Sequence, residues 1–373
     1  MFKVDRYLTE LEQLVNIDSG SRCPAGTKKV ADCFAEWFSS IGWTVEYVDV
    51  GAEVGPCLKI TNRVADKYDL LIIGHMDTVF PEGTVVERPF KIEGNRAYGP
   101  GVIDMKSGLL YAYHVAEELT ATQSAMDKSV CMLFNSDEEI SSVYSRALIE
   151  QTAVNCKNVI VLEPARSNGG TVKTRKGISK YFIDFKGVAA HAGVDPENGA
   201  SAIDELCYVV LEMNKLRNAE KGTNINAGVI SGGTVPNVVA ENARVQIDVR
   251  MTELAEAELV DERIRELAGS PLDSRVKIVV DGGLKRPPLN NPTVNEPLHK
   301  LLEEAAAELG IEIKWVATGG GSDANFTSAL GVPTLDTLGP IGGLGHGVGE
   351  YIEIDSIVPR FQLLMSVVYK ILK

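Results

Sequence analysis

The chain has 373 residues, which is long for a single core, so we expect two domains. It is 45% hydrophobic and 24% charged, as globular proteins are, and its net charge of −14 argues against nucleic-acid or anionic-membrane partners. It contains neither a run of about 18 apolar residues nor an apolar N-terminal segment, so we expect no membrane span and no signal peptide. Six scattered cysteines without a CxxC pair are typical of reduced thiols, and we expect a cytoplasmic protein.

The first 175 residues alternate between strand and helix patterns. Amphipathic periodicity predicts helices, and short apolar runs that end at glycine or acidic residues predict buried strands. The predicted helices are 3–17, 27–41 and 105–119, and the predicted strands are 44–50, 57–62, 69–74, 130–135 and 158–162. Residues 81–89 are predicted to form a loop, and 98–101 a tight turn. This alternation predicts a doubly wound α/β domain.

The pattern changes near residue 175, where half-exposed strands with polar alternation begin. The predicted elements are strand 180–186, helix 200–216, strands 225–231 and 243–250, helix 253–268 and strand 276–280. This β-α-β-β-α-β order is the split βαβ, ferredoxin-like arrangement of a small α+β domain. Beyond Pro287-Pro288 the pattern predicts helices 294–309 and 357–372 and strands 311–315 and 334–338. We therefore predict a discontinuous domain, 1–175 and 287–373, with residues 176–286 inserted as a second domain.

Several positions that follow strands or turns carry side chains able to bind a metal. They are His75, Asp104, the adjacent pair Glu138 and Glu139, Glu163 and His346. Ligands of open α/β sheets bind at the carboxyl ends of strands, where these residues are predicted to lie. His75 and Asp77 point the same way on an extended chain, so Asp77 could hold the imidazole from behind. Two histidines with several carboxylates suit Zn²⁺, and the number of carboxylates suits two metals bridged by one of them.

The adjacent residues Glu138 and Glu139 are predicted to divide two tasks. One would bind metal, and the other would act as the general base that deprotonates water. Each residue alone has another interpretation, because a Glu-Glu pair often starts a solvated helix and Asp104 could cap the following helix. Glu163 could likewise be a loop carboxylate. The hypothesis therefore depends on the conjunction of all these positions.

Seven motifs stand out together in the sequence: Gly74–Val79, Tyr98–Lys106, Asp137–Glu139, Leu162–Pro164, Ala190–Gly193, Thr318–Ala324 and Leu344–His346. With these motifs the sequence resembles the M20 di-zinc metallopeptidases, a family that includes glutamate carboxypeptidase, deacetylases, desuccinylases and aminoacylases. The resemblance extends from about Leu8 to Leu372. The turn at Gly99–Gly101 and the segment Met76–Phe80 look closest to the glutamate carboxypeptidase branch.

The resemblance implies a zinc-peptidase fold with two Zn²⁺ ions, for which Co²⁺ or Mn²⁺ could substitute. Asp104 would bridge the metals, His75 and Glu163 would complete one site, and Glu139 and His346 the other. Glu138 would be the general base for a water activated by the two zincs. Asp77 would orient His75.

The resemblance also implies that the inserted domain, 176–286, is a lid and dimerisation domain, so we expect a homodimer. His191 would reach the partner's active site and polarise the scissile carbonyl, although such a histidine alone is more often structural. The implied substrate-binding residues are Asn237, Arg250, Gly320, Gly321 and Ser322. Ser107, Ser141 and Tyr144 depart from the glycines that are usual in the family, which affects the expected substrate fit.

The predicted reaction is hydrolysis of an amide bond next to a free carboxylate in a small peptide or acyl-amino acid, as in a glutamate-releasing carboxypeptidase. The first alternative is an N-acyl-amino-acid deacylase of the acetylornithine deacetylase, succinyl-diaminopimelate desuccinylase or aminoacylase kind. A tripeptidase or aminopeptidase is disfavoured by Glu163 and Arg250. An inactive binding protein is disfavoured because all five metal-ligand positions are present.

Overall fold

The computed structural model describes residues 2–123 and 127–373. The chain divides into two compact units, and the first is discontinuous in sequence. Unit 1 comprises Met1–Thr174, Asn291–Ala317 and Ser322–Lys373, and unit 2 comprises Arg175–Asn290 and Thr318–Gly321. Among the described residues, no helix is both long and apolar enough to cross a membrane.

Ten α-helices and sixteen strands are present in the described part of the chain. The helices are α1 (Val4–Val15), α2 (Pro24–Ser40), α3 (Thr84–Glu87), α4 (Ser107–Thr122), α5 (Arg146–Ala153), α6 (Ala202–Asn214), α7 (Leu254–Gly269), α8 (Pro292–Glu308), α9 (Ala324–Ala329) and α10 (Ile354–Ile371). The strands are β1 (Thr44–Val48), β2 (Cys57–Thr61), β3 (Leu70–His75), β4 (Lys91–Glu93), β5 (Arg96–Tyr98), β6 (Val130–Asn135), β7 (Val159–Val161), β8 (Thr171–Arg175), β9 (Gly177–Lys186), β10 (Asn224–Gly232), β11 (Asn242–Met251), β12 (Lys277–Arg286), β13 (Trp315–Thr318), β14 (Thr334–Leu335), β15 (Gly342–Gly343) and β16 (Tyr351–Glu353).

The largest sheet of unit 1 has the strand order β1-β2-β6-β3-β7-β14. Strands β6, β3, β7 and β14 are parallel. At one edge of the sheet, β2 pairs antiparallel with β6, and β1 pairs antiparallel with β2. Every residue of β3 and β6 is buried, which explains why both strands are continuous apolar runs in the sequence. The register places His75 opposite Asn135, so β3 and β6 end at the same level. The predicted mixed α/β fold with a parallel sheet is confirmed.

The core of unit 1 lies between this sheet and several helices, among them α1, α2, α4 and α10. Aromatic side chains join the layers: the ring centroid of Phe134 on β6 lies 5.1 Å from that of Phe34 and 5.9 Å from that of Phe38, both on α2. Buried aromatic pairs of this geometry add to the stabilisation from burial. The helices of the core therefore pack against the sheet whose strands β3, β6 and β7 end at the candidate site residues.

Unit 2 is an antiparallel sheet of order β10-β11-β9-β12 packed with α6 and α7. Alternate residues of β9, Tyr181, Ile183 and Phe185, are buried with the helices, whereas Asp184 and Lys186 are exposed. This is the periodicity of a sheet with one covered face. Its elements follow the β-α-β-β-α-β order that the sequence pattern predicts.

Several predicted boundaries are wrong. The strand predicted at 311–315 lies at Trp315–Thr318, where it pairs with β8. The helix predicted from residue 105 begins at Ser107, because Asp104 and Met105 have non-helical backbone angles. The loop predicted at 81–89 contains the short helix α3. Five strands of the described part of the chain were missed: β4, β5, β15 and β16 have only two or three residues, too few to show a period, and the fifth is the five-residue strand β8.

Candidate metal centre

Three neighbouring parallel strands deliver acidic or histidine side chains to one edge of the unit 1 sheet. His75 is the last residue of β3, Glu138 and Glu139 follow β6, and Glu163 follows β7. Because the carboxyl ends of parallel strands share one edge, these residues lie together. Asp104 and His346 reach the same place from loops.

Asp104 lies between the two histidines. Its Oδ1 is 3.1 Å from Nε2 of His75, and its Oδ2 is 3.1 Å from Nε2 of His346. Oε2 of Glu139 is 3.1 Å from the same His346 nitrogen, and Oε1 of Glu163 is 4.0 Å from Nε2 of His75. Each oxygen of Asp104 thus faces a different histidine, and each histidine has a further carboxylate within 4.0 Å.

The chemistry of this cluster fits a bound cation. Ligand atoms of His75, Asp104 and Glu139 all lie within 4.8 Å of one another. Oε1 of Glu139 is buried and has no hydrogen-bond partner among the described residues. A buried carboxylate oxygen is costly unless it is paired or coordinates a metal. The nitrogen and oxygen donors present are those of a borderline metal such as Zn²⁺.

The carboxylates give the cluster a strong preference for positive charge. Burial acts to lower the pKa of His75, but its hydrogen bonds with Asp104 and Asp77 outweigh this and hold that pKa well above its usual value. Asp104 and Glu139 raise the pKa of His346 to about 11. Burial acts to raise the pKa of Asp104, but the bonds with both histidines lower it. The negative charge of the same carboxylates also favours the binding of metal cations.

Asp77 connects the imidazole of His75 to the backbone of the glutamate pair. Nδ1 of His75 lies 3.0 Å from the carbonyl oxygen of Asp77 and 3.4 Å from its Oδ1. The buried Asp77 carboxylate accepts the backbone N–H groups of Glu138 at 3.1 Å and Glu139 at 3.2 Å. Ser21 donates its hydroxyl to Oδ2 at 2.6 Å. Asp77 therefore sets the ring orientation of His75 and holds the loop of the candidate base.

Comparisons with known proteins assign the chain to a family. A sequence model of peptidase family M20/M25/M40 matches residues 71–370. The chain belongs to this family. Carboxypeptidase G2 of Pseudomonas sp. (strain RS-16) is 30% identical over 367 residues, covering 95% of this chain and 86% of that protein. Acetylornithine deacetylase of Vibrio atlanticus (strain LGP32) is 26% identical over 385 aligned residues, covering 98% of each chain.

The fold is similar to that of aminopeptidase PepT from Bacillus cereus ATCC 10987, with a TM-score of 0.81 and 22% identity over 100% of this chain and 99% of that one. The resemblance to M20 peptidases is thus confirmed, and the chain is a hydrolase of the M20 peptidase and amidohydrolase type. Metallopeptidases of this family are typically dependent on two metal ions, and the cluster around Asp104 is the group of described residues that could hold a metal.

Glu350 is a residue of this M20 peptidase that sequence reasoning missed. Its buried carboxylate accepts the backbone N–H groups of Gly101 at 3.1 Å, Ile103 at 2.8 Å and Asp104 at 3.1 Å. Burial raises the pKa of Glu350 to about 7. The only signal in the sequence was an acidic residue four positions after His346 in an otherwise uncharged segment. Glu350 fixes the turn that carries Asp104.

Gly101 explains why this turn is rich in glycine. Its φ is +73°, and a Cβ atom there would lie 2.5 Å from Cγ2 of the buried Thr78. Only glycine fits both conditions without displacement. The peptide bond between Asp104 and Met105 in the same segment is cis.

In unit 2, Arg250 lies beside the glycine-rich loop of the M20 peptidase. Its Nε and Nη2 donate to the two carboxylate oxygens of Asp248 at 2.8 and 3.1 Å, and its Nη1 donates to the carbonyl of Gly319 at 3.2 Å. Asp248 therefore holds the guanidinium flat and close to the loop. A planar guanidinium held in this way is suited to recognising a carboxylate.

Two further arginines contact the same loop. Nη1 of Arg175 donates to the carbonyl oxygens of Gly320 at 3.3 Å and Gly321 at 2.9 Å. A Cβ at Gly321 would lie 2.7 Å from Cδ of the buried Arg286, so glycine is needed there. In unit 1, the buried hydroxyl of Ser322 donates to Asp336 at 3.0 Å. Contact of these loop residues with substrate stays a prediction.

His191 and Asn237 also lie together in unit 2, and both are exposed. The backbone N–H of Ala192 donates to the carbonyl of Asn237 at 3.0 Å. Nδ1 of His191 accepts the N–H of Gly193 at 3.1 Å, so the neutral ring carries its proton on Nε2. His191 is therefore arranged to donate a hydrogen bond from Nε2 to an oxygen.

Proposed function

We propose that the protein is a metallocarboxypeptidase that releases glutamate by hydrolysing an amide bond next to a free carboxylate. The observation that carries this proposal is Arg250, whose guanidinium Asp248 holds beside the glycine-rich loop in unit 2. Arginine there suits a substrate α-carboxylate. The similarity to carboxypeptidase G2 over 95% of the chain also supports a carboxypeptidase activity.

We propose two Zn²⁺ ions as the resident metals. Asp104 would bridge them, His75 and Glu163 would hold one ion, and Glu139 and His346 would hold the other. The same donors also accept Co²⁺ or Mn²⁺. Bound metals supply Lewis acidity, which lowers the pKa of water and polarises a carbonyl group.

Glu138 is the proposed general base. Asp77 holds the amides of both glutamates, and the Glu139 carboxylate faces His346, which leaves Glu138 for the task of the base. Glu138 takes the proton from the attacking water and passes it to the leaving amine. Asp77 acts through His75 and through this backbone bond.

The inserted segment and the glycine-rich loop after it supply the remaining groups. Arg250 grips the α-carboxylate with help from Asn237, Gly320, Gly321 and Ser322. In a homodimer formed through residues 176–286, the partner subunit's His191 donates Nε2–H to the developing oxyanion. The proposed compartment is the cytoplasm, which is consistent with the six free cysteines.

The test compares initial rates on paired substrates, folyl- or peptidyl-glutamate against acetyl- and succinyl-amino acids, with a chelator control. We expect faster glutamate release, and we expect Arg250→Ala to raise KM about tenfold to a hundredfold because a charge-assisted bidentate contact is lost. Arg244→Ala is the matched control, since Arg244 is an exposed arginine of the same strand paired with Asp184. An unchanged KM in Arg250→Ala contradicts the assignment.

An N-acyl-amino-acid deacylase is the second candidate. It is favoured by the 26% identity with acetylornithine deacetylase over 98% of both chains. It uses the same metal residues and differs only in the acyl group accepted. Faster release of acetate or succinate than of glutamate would select it.

A further inference from the structure

The loop that carries Glu138 and Glu139 is held at both ends by one buried carboxylate. Nδ2 of Asn135, the last residue of β6, donates to Oδ2 of Asp323 at 2.5 Å. The hydroxyl of Ser142, at the other end of the loop, donates to Oδ1 of Asp323 at 2.6 Å. Asp323 is only 1% exposed. Both of its oxygens thus serve the same loop.

This loop has a backbone that needs external support. Ser141 and Ser142 both have left-handed backbone angles, with φ of 77° and 51°. Such angles are unfavourable for residues other than glycine. Internal bonds from Ser141 N–H to the Glu138 carbonyl and from Ser142 N–H to the Asp137 carbonyl close the turn at 2.7 and 2.8 Å. The bond from Ser142 to Asp323 therefore adds to the bonds from Asp77 in securing a strained turn to the rest of unit 1.

Asp323 is itself well anchored. It directly precedes α9, and its carbonyl accepts the N–H of Phe326 at 3.1 Å. The N–H of the preceding residue, Ser322, donates to Oδ1 of Asn325 at 2.9 Å, and its hydroxyl donates to Asp336 at 3.0 Å. The loop that carries Glu138 and Glu139, here called the glutamate loop, is therefore held by Asp323. In the sequence, Asp323 directly follows the glycine-rich segment Thr318–Ser322.

We propose that Asp323 is a positioning residue that holds Glu138 in place for proton transfer, acting through Asn135 and Ser142. The inference rests on the proposed role of Glu138 as the base. A carboxylate is needed because both oxygens accept a hydrogen bond, whereas an amide offers a single acceptor oxygen.

The first measurement is backbone hydrogen exchange of the substrate-free, metal-loaded protein with Asp323→Asn. We expect exchange within residues 136–145 to rise about tenfold or more, with other segments unchanged, because one tether of the loop is lost. We expect kcat to fall about a hundredfold with KM and metal content unchanged, since a misplaced base slows chemistry and leaves binding intact.

The matched control is Glu205→Gln in unit 2. Glu205 is another buried carboxylate that accepts two hydrogen bonds, from the N–H groups of Leu272 at 3.0 Å and Asp273 at 3.3 Å. Its variant should leave exchange in the glutamate loop and kcat unchanged.

Ser142→Ala keeps the buried carboxylate and removes one contact, so it tests the same tether if Asp323→Asn does not fold. It should reproduce the local rise in exchange and the fall in kcat, and should add little to Asp323→Asn. Unchanged loop exchange in both variants, or a fall in kcat equal to that of Glu205→Gln, overturns the proposal. The exchange measurement needs no substrate. If the wild-type protein hydrolyses none of the paired substrates but the variants still show the local rise in exchange, the proposed function is refuted. The role of Asp323 in holding the loop then stands.

Discussion

At the scale of single residues, the adjacent glutamates show how one loop can divide two chemical tasks. Asp77 binds the amide of each, and Glu139 brings a carboxylate oxygen to 3.1 Å from His346. Glu139 also keeps one buried oxygen without a partner among the described residues. We therefore propose that Glu139 binds a cation, so that the proposed role of Glu138 can be tested separately from metal binding.

Glu138→Ala should abolish turnover and leave the metal content unchanged. Loss of a general base costs about 10²–10⁴-fold in kcat, and no proposed metal ligand is removed. The measurement pairs kcat with metal content from inductively coupled plasma mass spectrometry. Glu150→Ala, which removes a glutamate of α5 paired with Arg146, is the control and should retain full activity. Substantial activity in Glu138→Ala would show that another group takes the proton.

The placement of histidine and acidic residues at strand ends could be predicted from the sequence, because a buried strand and the side chain after it are local features. His75 and the glutamate pair could be found in this way. Glu350 and Asp323 could not, because their contacts join residues 246 and 188 positions apart. Nothing in local spacing encodes such a pair. These two acidic residues hold backbone and loop ends in place, and only the folded chain shows what they touch.

At the scale of elements, the turn before α4 sets the position of Asp104. Gly101→Ala should destabilise the protein by about 1–2 kcal/mol from its left-handed backbone alone, and by more through the contact with Thr78. It should also weaken metal binding, because the turn carries Asp104. Denaturant unfolding and metal titration measure the two effects.

Gly94→Ala is the matched control for this turn. Gly94 also has a positive φ, +60°, but a Cβ there meets nothing within 4 Å. The difference between the two variants isolates the packing of Gly101 against Thr78. Equal losses of stability would show that the turn tolerates the extra carbon.

The elements of this fold were predictable to the extent that their signals were local. Long helices and the buried strands β3 and β6 appear in the sequence as periodic or continuous apolar runs. Strand β13 was misplaced because its position is set by pairing with β8, which lies more than a hundred residues earlier. The start of α4 was misplaced because the segment around Asp104 is shaped by its contacts with Glu350 and the histidines.

Helices α1 and α4 are joined by a partly buried ion cluster that no part of the proposed mechanism uses. Nε2 of His114 lies 2.8 Å from Glu10 and its Nδ1 lies 3.3 Å from Glu117, while Arg6 lies within 2.8 Å of both glutamates. Burial acts to lower the pKa of His114, but the two glutamates outweigh it and raise that pKa. The bonds with His114 lower the pKa of Glu117 to about 2, although burial acts against them.

The pH dependence of this cluster follows from these directions. The raised pKa of His114 makes its contribution complete below the unfolded value of about 6.5, and the contribution is lost as pH rises through the folded value. The lowered pKa of Glu117 makes its contribution complete above about 4.3 and lost as pH falls towards 2. His114→Gln should therefore cost the most stability, about 1–2 kcal/mol, between these two pH values.

Thermal unfolding at pH 5.5, 7 and 9 checks this prediction, and the difference from wild type should shrink as pH rises. His299→Gln is the control of opposite sign, because burial lowers the pKa of His299. Its difference from wild type should shrink as pH falls below about 6.5. A difference for His114→Gln that is independent of pH would show that folding leaves the pKa of His114 unchanged.

At the scale of the whole molecule, unit 2 presents an edge strand and a helix with exposed apolar residues. Strand β10 is at one end of its sheet, and its Val229 and Ile230 are 53% and 57% exposed. On α6, Ile203 and Leu211 are also exposed. An exposed apolar edge strand is unfavourable unless something pairs with it. These features support the proposed homodimer through the inserted segment.

The proposed dimer makes a further prediction, since each active site would use the partner subunit's His191. His191→Ala and Glu138→Ala chains should each be nearly inactive alone. In a hybrid dimer, the His191→Ala chain keeps its Glu138 and receives an intact histidine from the Glu138→Ala chain, so one of its two sites is complete. Co-expression of the two chains should therefore restore about a quarter of wild-type activity if subunits pair at random. Separately tagged chains, purified through both tags, should retain half. No restoration in doubly tagged dimers would mean that each active site is complete within one chain, and the exposed face of unit 2 would then serve some purpose other than catalysis.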